Sequence, residues 1–482
     1  MDSILHHIEN NVDRSLETLF TLVRQPSVSA QRLGFDKAPE LMVKIFTEHG
    51  FEAEIIPTPN NGLPSVYGYA PASIDAFRRA QSAAGVGRPS AEPPTLLLYV
   101  HYDVQPIDPI ELWETDPFEP TRKGDRLYGR GMSDDKGNIV ARLAVINAFR
   151  EEWGGLPCNV KIFAEGEEES GSPNLPGLIA ENADKLTADA CIWEGGGRNA
   201  QNRPVIYLGL KGVLAVEMSV SLLKGDAHSS YATVLPSATW TLINALNSIK
   251  DTTDDRILIE GFYDDVREST AEEDLALADL PDDSDEWRET FGNETFVAGL
   301  GSEDLPRKHL FLPTANVAGL DAGYQGEGMK TVLPAKASAK MDFRLVPDMR
   351  PDDIFDKIRR HLDRHGFENV DLNLISGVHP FRTDMSSKWA RMAIKTSEET
   401  YGKRAVIYPN IAGSGPMYDF GNVLNIPITS AGIDHPAHKI HAPNENITVE
   451  DFVLGAKNIA RLTQRFAGKW GHAQSGRASL VD

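Results

Sequence analysis

The sequence predicts an α/β layered domain with a mixed, largely parallel sheet, into which a smaller α+β unit is inserted. Three observations predict it. Short, continuously apolar runs, 95-TLLLYV-100, 160-VKIFA-164 and 189-DACIW-193, read as strands buried on both faces of a sheet, and stretches of helical periodicity lie between them. Near 205-VIYLGLKGVLAVEMSVSLL-223 the pattern changes to alternation, which suits antiparallel strands. Helical periodicity resumes in the final part of the chain, so the middle is read as an insertion. A chain of 482 residues also exceeds what one ordinary core accommodates. The expected boundaries are residues 1–211 and 379–482 for the two parts of the main domain and 212–378 for the insertion.

Taken in order, Ile4, Leu5, Ile8, Val12, Leu16, Leu19, Phe20 and Val23 recur at helical spacing, and 39-PELMVKIFTEHG-50 reads as a second helix ending at Gly50. The segment 71-PASIDAFRRAQSAAGVGRPSAEPP-94 is rich in Ala, Pro, Ser and Gly and is expected to be an exposed insertion. Helices are expected at 139–153 and 175–186 between the apolar strands. The inserted unit should hold a helix at 237–249, an acidic stretch from Asp251 to Trp287, strands at 337–346 and 370–375, and a helix at 351–366. Further helices are expected at 387–402 and 448–468.

Composition narrows the function. Lys plus Arg number 48 against 70 Asp plus Glu, a formal charge of −22, which argues against nucleic acid and anionic membrane as partners. Cys158 and Cys191 belong to no metal-binding spacing and read as buried free thiols. The sequence has neither a basic start followed by an apolar core nor a run of about 18 apolar residues, so a soluble cytoplasmic protein is expected.

The residues that carry chemistry sit where strands end. The strand finishing in 99-YVHYDV-104 would bring His101 and Asp103 to the carboxyl edge of the sheet, where open α/β sheets place their ligands, both on one face if strand geometry continues. Alone, such a pair is more often structural. In 126-RLYGRGMSDDKGNIVARL-143 a Gly-rich turn leads through Asp134 and Asp135 into a helix; either could cap it, yet capping leaves the doubling unexplained. The run 165-EGEEESGS-172 also follows a strand. A solvated loop is the ordinary reading of such charge, but its position argues for a cation. Glu194 precedes three glycines in 189-DACIWEGGG-197, and 434-DHPAHKIHAPNENI-447 gathers His435, His438 and His441. Imidazoles and carboxylates without thiolates suit catalytic zinc or manganese better than structural zinc or calcium.

In that order HYDV, YGRGMSDDKG, EGEEESGS and KIHAPNENI resemble the motifs of the two-metal peptidase family that includes cytosolic nonspecific dipeptidase, carnosinase, aminoacylase and succinyl-diaminopimelate desuccinylase, the dipeptidase branch most of all. The resemblance implies two zinc ions per subunit, with manganese or cobalt as alternatives. It implies that His101 and Glu194 bind one ion, Glu169 and His441 the other, and that Asp134 bridges them. Glu168 would be the general base and Asp103 would orient His101, while Glu165 and Glu167 would stay solvated. The insertion would be a lid and dimerisation unit. Within it 225-GDAHSSYATVLPSA-238 and 341-MDFRLVPDMRP-351 also match, implying that His228 reaches the substrate carbonyl oxygen in the neighbouring subunit and that Arg344 holds a substrate carboxylate. Ser414 in 411-IAGSGPMYDFG-421 would meet the substrate's C-terminus; a phosphate loop is the competing reading, but its lysine is absent.

The implied activity is hydrolysis of dipeptides or short peptides by a homodimer. Position 194 keeps N-acyl amino acid deacylation and carboxypeptidase action open, because dipeptidase members commonly carry Asp there and several carboxypeptidases or deacylases carry Glu. A catalytically silent binding protein is disfavoured by the filled ligand and base positions.

Overall fold

The apolar run beginning at Thr95 forms the strand Thr95–His101, buried from Leu96 onward. It lies inside a six-stranded sheet whose order is Glu52–Ile56, Ser65–Ala70, Asn159–Glu165, Thr95–His101, Ala190–Trp193 and Ile428–Ser430. The last four strands are mutually parallel, and Glu52–Ile56 and Ser65–Ala70 add an antiparallel edge. Register places His101 beside Glu165, so two chemistry-bearing segments leave the sheet at the same edge. The computed structural model describes residues 1–85 and 90–470.

The sheet belongs to the first of two units, Met1–Leu208 and Thr383–Pro409 with the segment from Asp419. Its most enclosed helix, Lys136–Trp153, is buried on nearly every side, including Asn138 and Arg142. Close approach explains Gly137, where a Cβ would lie 2.0 Å from the Met132 carbonyl oxygen. The helix Val449–Lys469 begins where the Thr448 hydroxyl accepts from the Asp451 amide, a cap of the usual kind. Among the described residues, no helix is long and apolar enough to cross a membrane.

The expected exposed insertion at 71–94 is corrected in part. Ile74–Ala83 is a helix, capped by Ser73, and Ala76, Phe77 and Ala80 are buried in the core of this unit. Those three positions form one helical face, which the small, polar composition around them obscured. Residues 86–89 of that segment lie outside the described residues.

The second unit comprises Gly209–Arg382 and Asn410–Tyr418. Its antiparallel sheet runs Asn316–Ala322, Lys336–Leu345, Gly212–Ser221, Val370–Val378. Alternate residues Leu214, Val216, Met218 and Val220 join one core with Leu242 and Ile249 of the helix Ala238–Ile249 and Ile354, Ile358 and Leu362 of Pro351–Arg364. A short ribbon pairs Ala227–His228 with Val332–Leu333. The segment Asn410–Tyr418, which the sequence reading left in the main domain, belongs to this unit because its backbone is tied there. The Ile411 amide donates to the Gly209 carbonyl at 2.9 Å, and the Lys211 amide donates to the Gly413 carbonyl at 2.9 Å.

Candidate metal centre

His101 ends its strand fully buried. Its Nδ1 lies 3.0 Å from the Asp103 carbonyl oxygen, an acceptor, so Nδ1 carries a proton and Nε2 faces the centre. The Asp103 carboxylate stands slightly farther from that ring, at 3.4 Å, and accepts instead from the backbone amides of Glu168 and Glu169 at 3.3 and 3.0 Å. Asp103 thus fixes the imidazole mainly through its main chain and the acidic turn through its side chain.

Asp134 lies at the middle. One carboxylate oxygen is 2.9 Å from His101 Nε2 and the other 3.1 Å from His441 Nε2. Neither side chain of the Asp134–Asp135 pair caps the following helix: Asp135 occupies the cap position and makes no capping bond. Its carboxylate instead meets the His101 amide at 3.3 Å and forms with His101 and Glu194 a group whose donor atoms lie within 4.8 Å of one another. His101, Asp134 and Glu169 form a second such group.

The acidic run divides differently from the sequence expectation. Glu165 and Glu167 are buried rather than solvated. Tyr99 donates to Glu165 at 2.7 Å, while Glu167 accepts from the Leu63 amide at 2.8 Å and from Asn174 at 2.9 Å, so both carboxylates bind structure together. Glu168 and Glu169 fall in a single turn, Glu168–Ser170, closed by Gly171 at φ 83°. Glu169 lies 3.0 Å from His441 Nε2 and accepts from Gln105 at 2.7 Å. Glu194 follows its strand directly; its Oε2 is 3.6 Å from His101 Nε2 and is buried without a hydrogen-bond partner. Among the three histidines of the late loop only His441 faces this cluster. His435 sits against the Asn446 carbonyl, and His438 beside Ser133 and Asp434.

Residues 97–465 match the profile of Peptidase family M20/M25/M40. The chain is a member of that family. It is similar to an M20 family metallo-carboxypeptidase from Sulfolobus solfataricus, whose crystal structure has a TM-score of 0.83 at 35% identity, over 94% of this chain and 99% of that one. It is 25% identical to the Beta-Ala-His dipeptidase of Mus musculus over 95% of this chain and 94% of that relative. With the Cys-Gly metallodipeptidase of Saccharomyces cerevisiae it shares 26% identity over 97% of this chain and 98% of the other.

The family implies a metal-dependent centre, and the residues of this M20 chain fit one. Asp103, Asp134, Asp135, Glu168, Glu169 and Glu194 crowd around two imidazoles with no thiolate, a donor set for zinc or manganese, and the unpartnered Glu194 oxygen points to a missing electrophile. Charge tells the same story. Burial drives Glu168 and Glu194 well above the carboxylate range, and neighbouring carboxylates push the same way. Asp134 also suffers from burial, but its bonds to His101 and His441 outweigh that and hold it well below the usual range. Bonds to Asp134 and Glu169 raise His441 to about 10. Burial lowers His101, and Glu194, Asp103 and Asp134 overcome it, leaving the ring well above an ordinary imidazole. Both shifts favour the imidazolium form, whereas coordination requires the ring neutral. Cation binding should release protons and tighten as pH rises toward the folded-state values; calorimetry in two buffers of different ionisation enthalpy would read this as a buffer-dependent heat, and equal heats would contradict it.

In the second unit of the M20 chain, Arg344 donates to the Ser414 hydroxyl at 2.8 Å, bringing two of the expected substrate-binding residues together. His228 is exposed at the end of its ribbon, with Nδ1 2.8 Å from the Ser230 hydroxyl. Sequence reasoning missed Asp135, Gln105 and Glu445. The doubled aspartate was the signal for the first; Glu445 lay unread inside the KIHAPNENI motif.

Proposed function

We propose that the chain is a hydrolase dependent on two divalent cations, zinc foremost, that cleaves the amide bond of dipeptides or short peptides. The observation that carries this is the Asp134 carboxylate, whose two oxygens face two different imidazoles. His101, Asp134 and Glu194 would hold one cation and Glu169, His441 and Asp134 the other; when bound, such a pair supplies Lewis acidity to the scissile carbonyl and to water. Glu168 accepts a proton from the attacking water on its carboxylate and delivers it to the leaving amine nitrogen. Asp103 keeps that base and Glu169 in place through their amides and holds the His101 tautomer. Arg344 and Ser414 are the binding groups for a substrate carboxylate, as a free C-terminus presents.

Carboxypeptidase action is the second reading. The relative at 35% identity is a metallo-carboxypeptidase, and position 194 is Glu. A panel of dipeptides, longer peptides and N-acyl amino acids on zinc-loaded protein separates the alternatives. Dipeptides should turn over fastest; preference for longer peptides trimmed from the C-terminus would favour the second reading, and preference for N-acyl amino acids would move the enzyme to the deacylases.

A homodimer is part of the proposal. The edge strand Val370–Val378 exposes Leu374 and Ile375, and the helix Ala238–Ile249 exposes Trp240, apolar surface that a second copy would cover. An isologous pair would let His228 donate to the developing oxyanion in the partner's site. Mixing His228→Ala with Glu168→Ala chains should then restore activity through heterodimers having one complete site. No recovery despite proven chain exchange would confine His228 to its own subunit or outside catalysis.

A further inference from the structure

Glu445 is completely buried, yet among the described residues it is not part of the groups that could hold a cation. Both of its oxygens are filled by donors from one segment. Oε2 accepts from Arg130 Nη1 and from the Gly131 amide, each at 2.9 Å, and Oε1 accepts from the amides of Ser133 at 2.8 Å and Asp134 at 3.0 Å. Its own carbonyl takes the Gly129 amide at 3.1 Å. One residue therefore grips 129–134 from end to end. Arg130 extends the grip: Nη2 donates to the Pro106 carbonyl at 3.0 Å, in the segment that carries His101, Asp103 and Gln105, and the guanidinium lies over the Trp113 ring. Glu445 itself closes the late loop, where Asn446 ties back to Ala437 at 2.8 Å and to Asn444 at 3.1 Å around His441.

We propose that Glu445 is a positioning residue that locks three of the ligand-bearing loops to one another, fixing the Asp134 carboxylate between His101 and His441 and so setting cation affinity. The physical reason is geometric. A carboxylate that must serve two cations tolerates little backbone drift, and four bonds to a single buried anion leave the Asp134 amide no freedom. A neutral amide at 445 would present an NH₂ to donors on one side, losing those bonds and the charge that faces Arg130.

This rests on the two-cation reading above, and the test separates the two. Zinc affinity and stoichiometry are measured by chelator competition for wild type, Glu445→Gln and Arg130→Lys, with thermal melting of chelated protein as a control and the cobalt-loaded visible spectrum as a second readout. Glu445→Gln should lose about 10–100-fold in affinity, the usual cost of removing an outer partner, with an altered cobalt spectrum. Arg130→Lys, which keeps the charge but not the fork to Pro106, should lose less. Should Glu445→Gln not fold, Arg130→Lys decides: weakened zinc binding supports the clamp. Affinities and spectra like wild type, with only the melting temperature lowered, would overturn it and leave Glu445 as scaffold. Wild type that binds no zinc, manganese or cobalt would overturn the two-cation reading itself.

Discussion

Replacing Glu168 by Ala is expected to lower turnover by roughly 10²–10⁴-fold while both cations stay bound. The carboxylate belongs to the turn Glu168–Ser170, whose amides are held by Asp103 independently of the Glu168 side chain. Truncation therefore leaves Glu169, which meets His441, in place. The loss should fall on kcat, because the proposed base would act on the attacking water and the departing nitrogen and not on substrate binding. Metal analysis of the purified variant is the control. Loss of metal along with activity would make Glu168 a ligand, and near-normal turnover would transfer the base role to another carboxylate of the cluster.

Asp134→Ala should have the larger effect on metal content. Among the described residues, its carboxylate is the single group in contact with both imidazoles, so its removal strips a ligand from each proposed site at once. Affinity at both sites should fall by more than the roughly 10–100-fold that follows loss of an outer partner, and activity should reach background. Wild type stripped by a chelator should match it, with the difference that added zinc or manganese restores wild type alone. Retention of one tightly bound cation in Asp134→Ala would show that the two sites do not share this residue, and full activity in stripped wild type would refute metal dependence.

The fold was legible in the sequence where burial leaves a one-dimensional trace. Strands covered on both faces, such as Thr95–His101, must be apolar throughout, and strands with one open face, such as Gly212–Ser221, must alternate. Ligand residue types at strand ends were legible for a similar reason, since the sheet edge gathers them whatever lies between. What stayed hidden depends on partners distant in the chain. Glu165 and Glu167 look like solvated charge until Tyr99, Leu63 and Asn174 are seen to supply donors. The same blindness concealed Glu445, whose amide partners lie in a segment more than three hundred positions earlier. The helix Ile74–Ala83 was missed because its buried face is made mostly of alanine, which carries little hydrophobic signal.

The insertion also imposes a timetable on synthesis. Ile428–Ser430 completes the sheet by pairing with Ala190–Trp193, and His441 follows it. At ~5–20 residues per second, roughly 10–50 s of elongation separates these two strands. Throughout that interval the nascent chain carries His101, Asp134, Glu169 and Glu194 with no partner for one open sheet edge, while the second unit is being made. The emerging polypeptide thus presents an unfinished, strongly acidic half-site beside an unpaired parallel strand, a state for which chaperones and early cation capture would matter more than for an uninterrupted domain.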